Sequence, residues 1–156
     1  MASPHRPVIR RADAADLDAL AQLRWEFRTA GAAPTESRDA FLARFQNRLG
    51  PALAEGRWQV WVAVADPPGV DVVGHVYAAR IDKLPNPVDE PESHLYISNL
   101  YVRPDHRGHG LGGQLLTAAL ESATSVDAAI LWGRPRAARL YRRHGFVPSS
   151  EILERR

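Results

Sequence analysis

The chain has 156 residues, 45% hydrophobic and 24% charged, with a formal net charge of +2, which suits one domain spanning residues 1–156 and burying roughly 68–70% of the surface its unfolded form exposes. No apolar run approaches the ~20 residues of a membrane span, so a soluble protein without a membrane partner is expected, and the start MASPHRPVIRR lacks the roughly 7–15-residue apolar core of a signal peptide, which makes the cytoplasm the expected compartment. The lack of cysteine excludes disulfides, thiolate metal sites and a cysteine nucleophile.

Val8 to Arg11 reads as a short strand. Asp13 or Asp16 can cap a helix whose apolar positions Leu17, Leu20, Leu23 and Phe27 recur at helical spacing. A second helix is expected from Glu36 to about Leu49, started between Thr35 and Arg38, striped by Phe41, Leu42, Phe45 and Leu49, and stopped by Gly50-Pro51. Arg57 to Ala65 and Val70 to Ile81 alternate as two antiparallel strands joined by the turn Asp66-Pro67-Pro68-Gly69. The proline-rich, acidic run Lys83 to Ser93 reads as an exposed loop. The order then becomes strand, helix, strand, helix: His94 to Val102, Leu111 to Thr124, Ala128 to Trp132 and Pro135 to His144. A strand, crossover helix and strand form a right-handed parallel unit in almost every case. The fold expected is therefore α/β (α+β, three-layer): a mixed, mostly antiparallel central sheet with a parallel strand-helix-strand core and helices on both faces.

The turn into the third helix, YVRPDHRGHGLGGQLL from Tyr101 to Leu116, carries the strongest chemical signal. A helix start leaves its first N–H groups unpaired at the positive end of the macrodipole, and glycines let a phosphate approach them. Gly108, Gly110, Gly112 and Gly113 supply that lack of bulk, and Arg107 adds a fixed charge with a fork of donors. Leu111, Leu115 and Leu116 read as an ordinary core stripe. Gly108, Gly110 and Gly113 also fit GxGxxG, with Asp127 as a ribose acid, but the 43 residues after Gly113 are too few for the rest of a dinucleotide sheet.

Positive charge is almost all arginine, and Arg134, Arg136, Arg139, Arg142 and Arg143 cluster near Tyr141, either as a solvated face or as attraction for phosphates. Acids are interspersed and no basic run interleaves with stacking aromatics, so no nucleic-acid partner is expected. His5, His75, His94, His106, His109 and His144 show no helical HxxxH spacing, so no metal is expected.

The pattern V-x-P-x-x-R-G-x-G-x-G from Val102 to Gly112, followed by LYRRHGF from Leu140 to Phe146 and preceded by IRRADAADLDALAQL, resembles the GNAT N-acetyltransferase superfamily along essentially the whole chain. The resemblance implies acetyl-CoA, or another acyl-CoA, as co-substrate. It places the pantetheine arm along Leu100, Tyr101 and Val102, and the pyrophosphate on the N–H groups from Arg107 to Gly113, His109 and Leu111 included. Tyr141 matches the family's general acid; a phenol of reference pKa about 10 stays protonated at neutral pH and can donate to a leaving thiolate. The implied reaction is acetyl transfer to a primary amine by direct attack in a ternary complex, with Trp25, Glu26 and Arg28, beside the acidic Asp82 to Glu92 run, walling the acceptor side.

Two positions depart from the family pattern. Ser98 stands where many relatives carry a glutamate base, leaving His94, Glu92, His75 or Glu26 as replacements, and Arg134 stands where many have a cofactor-contacting asparagine. A non-catalytic acyl-CoA-binding module is therefore the alternative reading. The family's last two strands are short in Phe146 to Arg156, and a partner chain completing that edge implies a homodimer.

Overall fold

The computed structural model describes residues 7–65, 71–124, 126, 128–149 and 155. The turn at Asp66 to Gly69, the candidate ribose acid Asp127 and most of the chain after Ser149 lie outside them. Five strands form one sheet in sequence order: β1 (Val8–Arg11), β2 (Gln59–Val64), β3 (Val72–Asp82), β4 (Ser93–Val102) and β5 (Ala129–Leu131). The first three pairings are antiparallel and β4 with β5 is parallel. Helices α1 (Leu17–Thr29) and α2 (Arg38–Ala54) cover one face; α3 (Leu111–Glu121) covers the other, and α4 (Ala138–Arg143) follows β5 on that side. The expected mixed sheet with its parallel crossover unit is the fold the chain adopts.

Strand alternation builds both cores. Val60 and Val62 join Val72 and Tyr77 against Leu20, Leu23 and Leu49 on the α1–α2 face, while Trp61 and Ala63 join Val73, Val76, Leu95 and Ile97 against Leu111, Leu115 and Leu116 of α3. Leu115 and Leu116 are fully buried, as the stripe required, and each contributes about 1.5–3 kcal/mol by leaving water.

The start of α1 is resolved between its two candidate caps. Asp13 accepts from the Ala15 N–H at 2.8 Å, and Asp16 returns the bond by accepting from the Asp13 N–H at 2.9 Å. Arg10 then forks onto Asp16 at 2.7 and 2.8 Å, tying β1 to this helix start.

The second helix departs from the sequence expectation at both ends. It starts at the Ser37 cap, whose Oγ accepts from the Ala40 N–H at 3.2 Å, and it runs through Gly50-Pro51 to Ala54. Proline forfeits one helical hydrogen bond. Here the helix survives because Leu49 and Ala52 are buried and Leu53 packs on the same cluster, while the Glu55 N–H still reaches the Pro51 carbonyl at 2.9 Å. Tertiary burial outweighs the local breaker.

Candidate functional site

The site begins where β4 loses its regularity. Tyr77 stands opposite Ser98 and His75 opposite Tyr101, so Val76 alone on β3 faces both Asn99 and Leu100 on β4. This is a β-bulge, and Asn99 takes the extra residue at φ 54, a left-handed geometry that asparagine tolerates better than most side chains. The bulge inverts the pleat: Leu95 and Ile97 face α3 before it, whereas Leu100 and Val102 do so after it and Tyr101 turns to the α1–α2 face. β5 pairs only with Leu95 to Ile97. From Ser98 to Val102, β4 therefore presents its β5-side edge without a ladder partner among the described residues.

The chain then passes through a short 3-10 turn (Pro104–His106) into the glycine run. Gly108 and Gly110 have φ of 81° and 78°, values that L side chains reach only with strain. Gly110 caps α3 with no side-chain hydrogen bond, and the first helical N–H to reach a backbone acceptor is that of Gln114, onto Gly110 at 3.1 Å. The N–H groups of Leu111, Gly112 and Gly113 thus have no backbone acceptor among the described residues. Gly112 and Gly113 also face the α4 segment. A Cβ on either would lie 3.4–3.5 Å from Leu140 of α4 or from His144 just beyond it, an ordinary van der Waals contact. A groove of about 480 Å³, lined by Gly110, Gly113, Gln114, Thr117 and Glu121 with Ile9 opposite, continues from this helix start.

Arg107 does not point freely outward. Its Nε donates to the Val102 carbonyl at 2.8 Å and its guanidinium lies 5.7 Å from the Tyr101 ring centre, folding a positive charge over the free β4 edge. His109 is exposed within the turn. Across the split, Tyr141 is half-buried, its ring edge 3.3 Å from where a Cβ on Gly133 would stand and edge-on to Phe146 at 6.0 Å. Burial pushes the Tyr141 phenol above its ordinary value, with the Arg134 charge pulling it partly back. Arg134, Arg136, Arg139, Arg142 and Arg143 are all exposed, and Arg134 lies 5.9 Å from the Phe27 ring, on the α1 side.

The acceptor candidates are not gathered at one point. Trp25 packs against Phe41 of α2, with ring centres 5.6 Å apart. Glu26 is gripped by Arg103 through Nε at 3.1 Å and Nη2 at 2.9 Å. Arg28 is exposed one turn after Arg24. His94 and Glu92 lie at the other end of β4, and the acidic Asp82 to Glu92 loop opens there too, six residues and about 20 Å along the strand from Asn99. That loop is remote from the bulge.

His75 is buried completely beside the bulge, and neither ring nitrogen has a hydrogen bond of ordinary geometry. Burial pushes it down to about 3, the Arg24 charge adds to the depression, and the nearby Asn99 carbonyl offsets part of it. The Tyr77 hydroxyl is likewise buried without a partner, its ring 4.9 Å from that of His75. Ser98 accepts at 2.6 Å from Asn99 Nδ2, while Asn99 Oδ1 accepts from Arg24. Sequence reasoning missed both Arg24 and Asn99. The available signal was an asparagine inside a strand-like run, the residue type suited to a left-handed break.

An open mixed sheet whose fourth strand bulges and parts from the fifth above a glycine-rich helix start defines the class. The chain belongs to the acetyltransferase (GNAT) family, whose model matches residues 17–146, the family that the two motifs pointed to. Among solved structures, the predicted acetyltransferase of Clostridium acetobutylicum with acetyl-CoA is 24% identical with a TM-score of 0.77, covering 96% of each chain. A GCN5-related N-acetyltransferase from Ralstonia eutropha is 27% identical with a TM-score of 0.72, over 96% of this chain and 97% of that one. A curated mycothiol acetyltransferase from Segniliparus rotundus is 41% identical over 58 residues, which is 35% of this chain and 21% of that protein. The chain thus spans about a fifth of that relative's length. No helix among the described residues is long and apolar enough to cross a membrane.

Proposed function

We propose that the protein transfers an acetyl group from acetyl-CoA to a primary amine within a ternary complex. The observation that carries this reading is the β5-side edge of β4 from Ser98 to Val102, without a ladder partner among the described residues and leading directly into the positive-φ glycine turn at the start of α3. Leu100, Tyr101 and Val102 would line the pantetheine, and the turn from Arg107 through Gly108, His109, Gly110, Leu111, Gly112 and Gly113 would hold the pyrophosphate. The amine nitrogen attacks the thioester carbonyl carbon, a C–N bond forms and the C–S bond breaks. The amine loses its proton to solvent or a basic group, and the Tyr141 O–H supplies one to the departing sulfur. The raised Tyr141 phenol suits that task, because it is protonated throughout the neutral range.

An acyl-CoA-binding module without turnover is the second reading, favoured by Ser98, which provides no carboxylate base on β4. Calorimetric titration with acetyl-CoA, with NAD as control, tests what the two share: binding should weaken in Gly110→Val, and absence of acetyl-CoA binding overturns both. Thiol release over an amine panel separates them. An enzyme loses about 100-fold or more of its turnover in Tyr141→Phe while keeping acetyl-CoA affinity, whereas a pure binder releases no thiol in either form.

A further inference from the structure

Among the described residues, the α1 side of the bulge holds a cation with no anion. Arg24 is partly buried between α1 and β4, and one of its guanidinium nitrogens donates to Asn99 Oδ1. None of its remaining donors has a partner among the described residues, and no carboxylate there forms an ion pair with it. The groups that bear on it electrostatically include Arg28, Tyr77, Tyr96 and His75, none of them a carboxylate. Arg28 follows at i+4, a like-charge spacing that disfavours the helix. Glu26, the acid nearest in sequence, is committed to Arg103, and the acidic loop opens at the opposite end of β4. A guanidinium partly withdrawn from water without a counter-charge is costly, and here it bonds Asn99, within the β4 edge that lacks a ladder partner among the described residues, on the side of the buried Tyr77 hydroxyl and His75 nitrogens.

We propose that Arg24 anchors a carboxylate of the acceptor, so that the amine acetylated here belongs to a molecule of the α-amino-acid type, with an acid group close to its nitrogen. The inference rests on the acetyl-transfer reading and narrows its acceptor. The carboxylate belongs to the acceptor because Arg24 projects from α1, on the face opposite α3, whose N-terminus would hold the CoA pyrophosphate. A guanidinium pairs with a carboxylate through two parallel hydrogen bonds, which would fix the amine relative to the bulge.

The test uses matched pairs. N-acetylglycine and N-acetylphenylalanine are titrated against their carboxamides, with and without CoA, and phenylalanine and glycine are compared with phenylalaninamide and glycinamide as acceptors of acetyl-CoA. The acids should bind, and the amino acids react, about 10-fold or more better than the amides. That preference should vanish in Arg24→Gln, survive in part in Arg24→Lys, and be unchanged in Arg48→Gln on the exposed side of α2. Equal affinity for acid and amide in the unmodified protein overturns the inference, as does a preference that persists in a folded Arg24→Gln. A requirement for succinyl-CoA in place of acetyl-CoA, without an acid preference in the acceptor, also overturns it. Loss of acetyl-CoA binding is a separate result that overturns the transferase reading, since the acid and amide titrations without CoA report on Arg24 alone.

Discussion

Arg103, the first residue beyond β4, holds Glu26 of α1 in a fork of two hydrogen bonds at 3.1 and 2.9 Å and reaches Asp71 with its remaining amino group at 2.9 Å. One guanidinium thereby joins the end of β4, the start of β3 and helix α1. The Glu26 carboxylate is spoken for, so a structural role outweighs its candidacy as a base.

Glu26→Gln should consequently behave as a stability variant. The side chains of Arg103 and Glu26 are 27% and 40% exposed, so after solvent screening the loss is about 1 kcal/mol, or a Tm drop of about 2–4 °C for a domain of this size. Turnover with acetyl-CoA should fall by less than about threefold, whereas loss of a general base costs about 100-fold or more. Steady-state kinetics beside a thermal melt decide between the two roles.

Asn99 should be replaceable by glycine more readily than by alanine. At φ 54, alanine meets the left-handed penalty of about 1–2 kcal/mol, and glycine escapes it at an entropic cost of about 0.5–1 kcal/mol. Asn99→Gly should be more stable than Asn99→Ala by about 0.5–1 kcal/mol in denaturant unfolding. Both release Arg24, so both should reduce any discrimination between acid and amide ligands. The opposite order of stability would mean that the bulge does not impose this backbone.

His75 makes the fold sensitive to mild acid. Its folded value of about 3 lies below the ordinary 6.5, so the unfolded chain takes up the proton first. The stability it contributes is fully present above about pH 6.5 and is lost as pH falls towards 3, with a slope of at most about 1.4 kcal/mol per pH unit. Between about pH 6.5 and 4.5, above the ordinary carboxylate range, urea midpoints should decline for the unmodified protein and stay nearly level for His75→Phe. Parallel slopes would exclude His75 as the source.

Gly110→Ala should weaken acetyl-CoA binding by about 10-fold and cost about 1–2 kcal/mol of stability, because the cap's φ of 78° is left-handed and its N–H neighbours form the cradle. Gly31→Ala is the control: a Cβ there meets nothing within 4 Å, and both measurements should be unchanged. Equal effects in the two variants would remove the cradle's special geometry.

Strands and helices were legible because each is announced by neighbours in sequence: alternation in β2 and β3, the Leu115–Leu116 stripe in α3, the acid before α1. The glycine turn and the Tyr141 segment were legible for the same reason, and with them the family. The second helix was misjudged at Pro51 because a breaker acts locally while the burial of Leu49 and Ala52 that overrides it comes from α1 and the sheet. Four glycines were read as one cradle, yet of these Gly108 and Gly110 take left-handed φ values while Gly112 and Gly113 lie within van der Waals reach of Leu140 and His144, a difference that spacing cannot carry.

The sequence by itself determined the order of elements, the open mixed sheet and the place of the glycine turn from Arg107 to Gly113, since periodicity, proline and glycine act over a few residues. The tertiary structure decided which charges meet at the bulge. Arg24 meets Asn99 across 75 residues and Arg103 meets Glu26 across 77, and both meetings depend on a one-residue bulge in β4. A shift of one residue turns every following side chain to the other face of a sheet, so the charges that gather beside the bulge are fixed by register.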